Sequence, residues 1–122
     1  MARVIVIDDQ DPIRRIVRRA LEQAGHEVLD AADGASGMQI LAQHSADVVI
    51  SDIFMPGQDG IETLRQIRKD FPAVRVIVMS GGDSSGLLDL RQDAELLGAV
   101  KSLRKPFTAR EIVDAVNGVL KS

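Results

Sequence analysis

Asp8-Asp9, Asp52, Ser80 and Lys105 are the residues of this chain whose types could do chemistry together. Each lies at the carboxyl end of a short apolar run: Val4-Ile5-Val6-Ile7 leads into Asp8-Asp9, and Val48-Val49-Ile50 leads into Ser51-Asp52. Val76-Ile77-Val78-Met79 leads into Ser80, and the run from Val100 to Leu103 lies just before Lys105-Pro106. Three carboxylates gathered in one pocket repel one another, and a bound cation relieves that repulsion. Oxygen donors without His or Cys suit a hard cation, Mg²⁺ rather than zinc. A carboxylate can also act as a nucleophile and form an aspartyl phosphate. An ammonium would then balance the added charge, and a hydroxyl would hydrogen-bond a phosphoryl oxygen.

These residues can meet only if the apolar runs are neighbouring strands, and the pattern between the runs supports that. Asp11 reads as a helix N-cap with Pro12 at the first helical position, followed by Ile13, Val17, Ala20, Leu21 and Ala24 at helical spacing and a stop at Gly25. Glu27 to Ala31 is a weaker strand, and Asp33-Gly34 turns into a second helix with Met38, Leu41 and Ala42 on one face. Met55-Pro56-Gly57 turns the chain after the third strand, and Ile61, Leu64, Ile67 and Phe71 stripe a third helix that Pro72 ends. Val74 to Met79 is the fourth strand, broken by Gly81-Gly82. Leu87, Leu90, Ala94 and Leu97 suggest a fourth helix closed by Gly98. Val100 to Leu103 is the fifth strand. Thr108 and Glu111 form a capping box for a last helix buried through Ile112, Ala115, Val116, Val119 and Leu120. About five βα units with no internal linker give a parallel sheet covered by helices on both faces. Five are too few for an eight-fold barrel. The fold class is therefore α/β, an open doubly wound sheet, one domain over residues 1–122, with any ligand at the carboxyl ends of the strands.

Composition narrows the function further. The chain has 122 residues, 45% hydrophobic and 27% charged, with net charge −3 and no cysteine. Disulfides, zinc–thiolate centres and thiol chemistry are excluded. The slight negative charge gives no drive toward nucleic acid or anionic membrane. Phe54, Phe71 and Phe107 are the only aromatic residues, so stacking platforms for bases or sugars are nearly absent. No apolar run approaches the roughly 20 residues that span a bilayer, and the N-terminus does not read as a signal peptide. The expected location is cytoplasmic, with no membrane and no direct nucleic-acid partner.

Four segments, taken in order, carry a family resemblance: Val4-Ile5-Val6-Ile7-Asp8-Asp9, then Val48 through Gly57, then Val78-Met79-Ser80-Gly81, then Lys105-Pro106-Phe107. Placed at the strand ends of an alternating chain, they resemble the receiver domain of two-component response regulators, the family that includes the chemotaxis regulator. The resemblance covers essentially the whole chain. It implies a flavodoxin-like (βα)5 sheet with strand order 2-1-3-4-5. It implies Asp52 as phosphoacceptor, and Asp8 and Asp9 as Mg²⁺ ligands, with Asp9 the more direct. Asp52 and the backbone carbonyl of Phe54 would complete the metal shell, and Mn²⁺ is an alternative to Mg²⁺. Ser80 stands at the switch Ser/Thr position, Lys105 at the lysine position, and Lys105-Pro106 at the family's cis peptide, which proline makes accessible. The implied function is a switch rather than an enzyme. A sensor histidine kinase or phosphotransfer protein donates the phosphoryl group, and the domain catalyses only that transfer and slow autodephosphorylation. An output protein, or a fused output domain, then reads the changed surface made by the fourth helix, fifth strand and fifth helix.

Two departures from the family pattern matter. The inward-turning aromatic usual three residues before the lysine is replaced by Ser102, so readout is expected to rest on the loop after the fourth strand and on the fourth helix. Phe54 and Gly82 flank the site where water would attack an acyl phosphate, and a ring at 54 with no side chain at 82 predicts a fairly long-lived phosphoryl state. Three other functions fit these residues less well. A haloacid-dehalogenase-type phosphatase would need a second acid where Phe54 stands. An FMN-binding flavodoxin would need a phosphate loop where Asp8-Asp9-Gln10-Asp11 stands. A degenerate receiver acting as a phosphorylation-independent binding module is opposed by the intact acids, Ser80 and Lys105. Arg14, Arg15, Arg18 and Arg19 read first as a solvated helix face and second as a kinase docking surface. His26 and His44 read as structural or surface residues.

Overall fold

A computed structural model describes residues 2–55, 58–80 and 98–121, with side chains described at all of these except 54, 55 and 58–61. The element order is β1 (Arg3–Ile7), α1 (Asp11–Gln23), β2 (Glu27–Ala31), α2 (Gly34–Gln43), β3 (Val48–Asp52), β4 (Phe54–Met55), β5 (Gln58–Asp59), α3 (Gly60–Asp70), β6 (Arg75–Ser80), β7 (Lys101–Arg104) and α4 (Ala109–Leu120). The main sheet is parallel, in the order β2-β1-β3-β6-β7. Counting only its own strands, that is 2-1-3-4-5, as expected. The predicted fourth helix falls within residues 81–97 and, with Gly81 and Gly82, lies outside the described residues.

Period-two alternation in the strands builds two cores, one on each face of the sheet. Val4 and Val6 of β1, Val48 and Ile50 of β3, and Ile77 and Met79 of β6 pack with Val17 and Leu21 of α1 and with Ile112, Ala115, Val116 and Val119 of α4. The alternate residues Ile5, Ile7, Val49, Val76 and Val78 pack on the other face with Leu41 of α2 and Leu64 and Ile67 of α3. Strands buried on both faces read as continuous apolar runs, which is why the sequence signals them so clearly.

Several boundaries differ from the expectation. Gln10, not Asp11, is the N-cap of α1, and it makes no side-chain capping bond. Asp11 is already helical because its carboxylate pairs with the Arg14 guanidinium instead of capping the backbone. Asp33 caps α2 by accepting the Ser36 N–H at 2.7 Å, and Thr108 and Glu111 form the expected capping box of α4. After β3 comes a small antiparallel ladder, β4 with β5, that the sequence pattern did not signal, and Pro56 and Gly57 of the expected turn lie outside the described residues. The last strand starts one residue later than expected, leaving Val100 half exposed. Ala24 and Ala42, expected on buried helix faces, are exposed: Ala24 is the C-cap of α1, and Ala42 lies in the last turn of α2.

His26 is structural, as read. Its Nδ1 accepts the Ala2 N–H at 3.2 Å, so Nε2 is the nitrogen that donates to Asn117 Oδ1 at 3.1 Å, tying the start of β1 to α4. His44 is the exposed C-cap of α2.

Gly37 was not singled out by the sequence pattern, yet it lets α2 lie directly on the last residue of β1. A Cβ built there would sit 2.7 Å from Ile7 Cγ1. Gly37→Ala is expected to destabilise the fold by about 1–3 kcal/mol through overpacking. Urea unfolding checks this, and a variant as stable as wild type contradicts it.

Candidate functional site

Asp8, Asp9, Asp52, Ser80 and Lys105 lie where strands of the main sheet run out, and the parallel ladder continues one hydrogen bond past several strand ends to hold them. The Asp8 N–H donates to the Ala31 carbonyl at 3.1 Å, just beyond β1. The Ile53 N–H donates to the Met79 carbonyl at 2.9 Å, fixing the backbone immediately after Asp52. The Lys105 N–H donates to the Ser80 carbonyl at 2.8 Å, joining the ends of β6 and β7. The sheet thus brings together residues up to 97 positions apart in the chain.

Asp8 has no solvent-exposed surface, Asp52 is 3% exposed and Ser80 is 5% exposed. Lys105 Nζ reaches across the sheet ends to Asp8 Oδ2 at 2.8 Å and Asp52 Oδ2 at 3.4 Å, and approaches Gln10 Oε1 at 3.4 Å. Burying carboxylates is costly unless they are paired, and this ammonium supplies the pairing. The Gln10 N–H donates to Asp8 Oδ1 at 2.8 Å. Asp9 is exposed and, among the described residues, makes no hydrogen bond or ion pair. Carboxylate oxygens of Asp8, Asp9 and Asp52 lie within 4.8 Å of one another. Three carboxylates against one ammonium leave excess negative charge in an all-oxygen donor set, which fits a hard divalent cation.

Lys105-Pro106 is cis, as the resemblance implied. Ser102 lies in β7, partly buried, paired in register with Val78. Phe54 contributes backbone to β4, but its side chain and Gly82 lie outside the described residues.

The α1 arginines do not form one solvated block. The Arg14 Nη1 donates to the Asp8 carbonyl at 2.7 Å, and Arg18 pairs with Glu22 at 3.1 Å and with Asp30 at 3.5 Å. Those acids raise the Arg18 pKa, with the Glu22 hydrogen bond the largest cause. Arg15 and Arg19 are exposed and unpaired among the described residues, on either side of Ile16, which is 50% exposed. The spacing of the α1 arginines carries no signal of the contact between Arg14 and the Asp8 carbonyl.

The family model described as response regulator receiver domain matches residues 4–117. The chain belongs to this family. The receiver is 34% identical over 118 residues to sporulation initiation phosphotransferase F of Bacillus subtilis, covering 97% of this chain and 93% of that one. A response regulator receiver domain protein from Clostridium thermocellum superposes with a TM-score of 0.89 at 37% identity, covering 99% of this chain and 95% of that chain. The chemotaxis protein CheY4 of Vibrio cholerae superposes at 0.87 with 30% identity and 98% coverage of both chains. NtrX from Brucella abortus superposes at 0.91 with 30% identity, and there the match spans 98% of this chain but 27% of that chain. The receiver is a phosphorylation-activated switch of two-component signalling, a signalling protein and not a conventional enzyme. No described helix is long and apolar enough to cross a membrane.

The unpaired Asp9 carboxylate yields a prediction. Two unit charges about 5 Å apart near a protein surface interact by on the order of 1–4 kcal/mol. Asp9→Asn is therefore expected to stabilise the metal-free receiver by about 1 kcal/mol, once screening at this exposed position is allowed for. Mg²⁺ is expected to raise the melting temperature of wild type but barely that of the variant. Thermal unfolding with chelator and with Mg²⁺ checks both halves. A variant less stable than wild type in chelator contradicts the repulsion argument.

Proposed function

We propose that Asp52 is the phosphoacceptor and that Asp8, Asp9 and Asp52, with the Phe54 backbone carbonyl, would hold Mg²⁺ beside it. The observation that carries this reading is the convergence of the three carboxylates with Lys105 at the sheet's carboxyl end. A carboxylate oxygen of Asp52 attacks the phosphorus of a phosphohistidine on a sensor kinase or phosphotransfer protein. The O–P bond forms as the N–P bond breaks, and the imidazole nitrogen leaves with the electron pair and takes a proton from solvent. Mg²⁺, when bound, supplies charge neutralisation at the phosphoryl oxygens. Lys105 balances the charge that arrives on Asp52, and the Ser80 hydroxyl turns to a phosphoryl oxygen. The Lys105–Asp52 pair is already made, but contacts to the phosphoryl oxygens exist only once that group is in place, so these new contacts bias a two-state equilibrium.

Because Ser102 supplies no ring, the readout passes through residues 81–97 rather than through an aromatic in β7. Phe54 and Gly82 favour a long phosphoryl lifetime, the first as an apolar screen and the second by offering no side chain to hold attacking water. The phosphodonor docks beside the site on α1, where exposed Ile16 sits between the uncommitted Arg15 and Arg19. The output is a separate protein or a fused domain.

Intact mass after incubation with acetyl phosphate tests the reading. Wild type is expected to gain one phosphoryl group only when Mg²⁺ is present, and Asp52→Asn none. Phosphorylation of Asp52→Asn to the wild-type extent refutes the assignment. The docking surface has its own check. Arg15→Glu with Arg19→Glu is expected to slow transfer from a phosphorylated histidine kinase about ten-fold or more at low salt. The acetyl phosphate reaction should keep its rate. Equal slowing with both donors contradicts a docking role.

A further inference from the structure

Every hydrogen-bonding atom of Asp8 has a partner. Its N–H is held by the Ala31 carbonyl, its Oδ1 by the Gln10 N–H and its Oδ2 by Lys105. Its carbonyl oxygen accepts from Arg14 Nη1 at 2.7 Å. The other terminal nitrogen of the same guanidinium, Nη2, donates to Asp11 Oδ1. Asp8 and Asp11 bracket Asp9 and Gln10, so one planar group grips both ends of the loop that carries the acidic pair. The Arg14 side chain is only 17% exposed, so its bond to the Asp8 carbonyl is partly shielded from water, whereas the Asp11 carboxylate at the other end is 65% exposed.

The third nitrogen shows where the group's geometry is committed. Arg14 Nε is buried without a hydrogen bond, and it stands 4.0 Å from Asp30 Oδ2, too far to bond. The guanidinium therefore forgoes its β2 neighbour while satisfying both ends of the loop. Arg18, one turn on, approaches the same Asp30 at 3.5 Å and bonds Glu22, but among the described residues it makes no contact with the loop. A lysine could not reproduce the Arg14 arrangement, because one ammonium lacks the fixed fork that addresses two acceptors at once.

We propose that Arg14 is a positioning residue for cation binding: its fork staples the ends of the 8–11 loop and so sets where the Asp8 and Asp9 carboxylates stand. This rests on the cation site proposed above. Arg14 itself touches neither the cation nor the phosphoryl group. Groups that orient metal ligands without binding the metal commonly change affinity about 10- to 100-fold when removed.

The test compares Arg14→Met and Arg14→Lys with Arg18→Met, which removes an arginine from the same Asp30 without touching the loop. The first readout is amide hydrogen exchange at Gln10 in metal-free protein, since that N–H bonds Asp8 Oδ1. Exchange is expected to quicken in both Arg14 variants and to stay at the wild-type rate in Arg18→Met. The second readout is Mg²⁺ affinity by calorimetry, expected to fall about ten-fold in Arg14→Met and to recover only in part in Arg14→Lys. Phosphorylation by acetyl phosphate should drop at low Mg²⁺ and return toward the wild-type rate at saturating Mg²⁺. Wild-type Gln10 exchange and Mg²⁺ affinity in the Arg14 variants overturn the proposal, as does an equal loss in Arg18→Met. If Arg14→Met fails to fold, Arg14→Lys carries the test. If wild type binds no Mg²⁺, the cation reading of the site fails, whereas Gln10 exchange still decides whether Arg14 holds the loop.

Discussion

One ammonium holds the functional end of this molecule together. Lys105 Nζ lies against the carboxylates of both Asp8 and Asp52, which are nearly or wholly enclosed. Without it, two buried like charges would face each other at the end of the sheet, an arrangement that a fold of ordinary marginal stability tolerates poorly. With it, the two acids sit close together against an opposite charge. One ammonium does not neutralise three carboxylates, and that residual negative charge is what makes the pocket receptive to a divalent cation. On the proposed reading stability is in tension with function: Asp9, unpaired in the resting fold, would be a ligand of the switch's cation.

The rest of the structure serves to place these few groups. Parallel strands end side by side, and the ladder runs one bond past β1 and β7 to pin Asp8 and Lys105 and past β3 to pin the residue after Asp52. Two apolar cores, one on each face, make the sheet rigid enough that groups far apart in sequence meet within a few ångströms. On α1, the guanidinium of Arg14 fixes the loop from the side, while Arg15 and Arg19 are left exposed around Ile16. Neighbouring arginines of one helix thus differ, Arg14 turned inward to the 8–11 loop and Arg15 and Arg19 left exposed, where we propose that the phosphodonor docks.

Much of this was legible in the sequence, for identifiable physical reasons. Strands buried on both faces must be apolar throughout, so Val4 to Ile7 and Val76 to Met79 announce themselves, and the residues that follow them become candidate site residues. The capping box of Thr108 and Glu111 is local chemistry and reads directly. What did not read were contacts that depend on tertiary approach. The Asp11 carboxylate looked like a cap because a first-turn acid can either cap the backbone or pair with the arginine three residues on, and the spacing alone does not choose. Gly37 carries no local turn signal and matters only because Ile7 packs against it. The α1 basic block looked uniform because nothing in its spacing says that Asp30 and the Asp8 carbonyl lie on one side of the helix.

The central claim is that the acid at the end of β3 is the nucleophile, activated where three strand ends converge. The most direct measurement is chemical trapping of the phosphorylated receiver with borohydride, which reduces an acyl phosphate to the alcohol, followed by peptide sequencing by mass spectrometry. The account predicts homoserine at position 52 alone, in an amount that follows the phosphoryl gain. Homoserine at position 8 or 9, or a phosphoryl gain that yields no reduced aspartate, would contradict it.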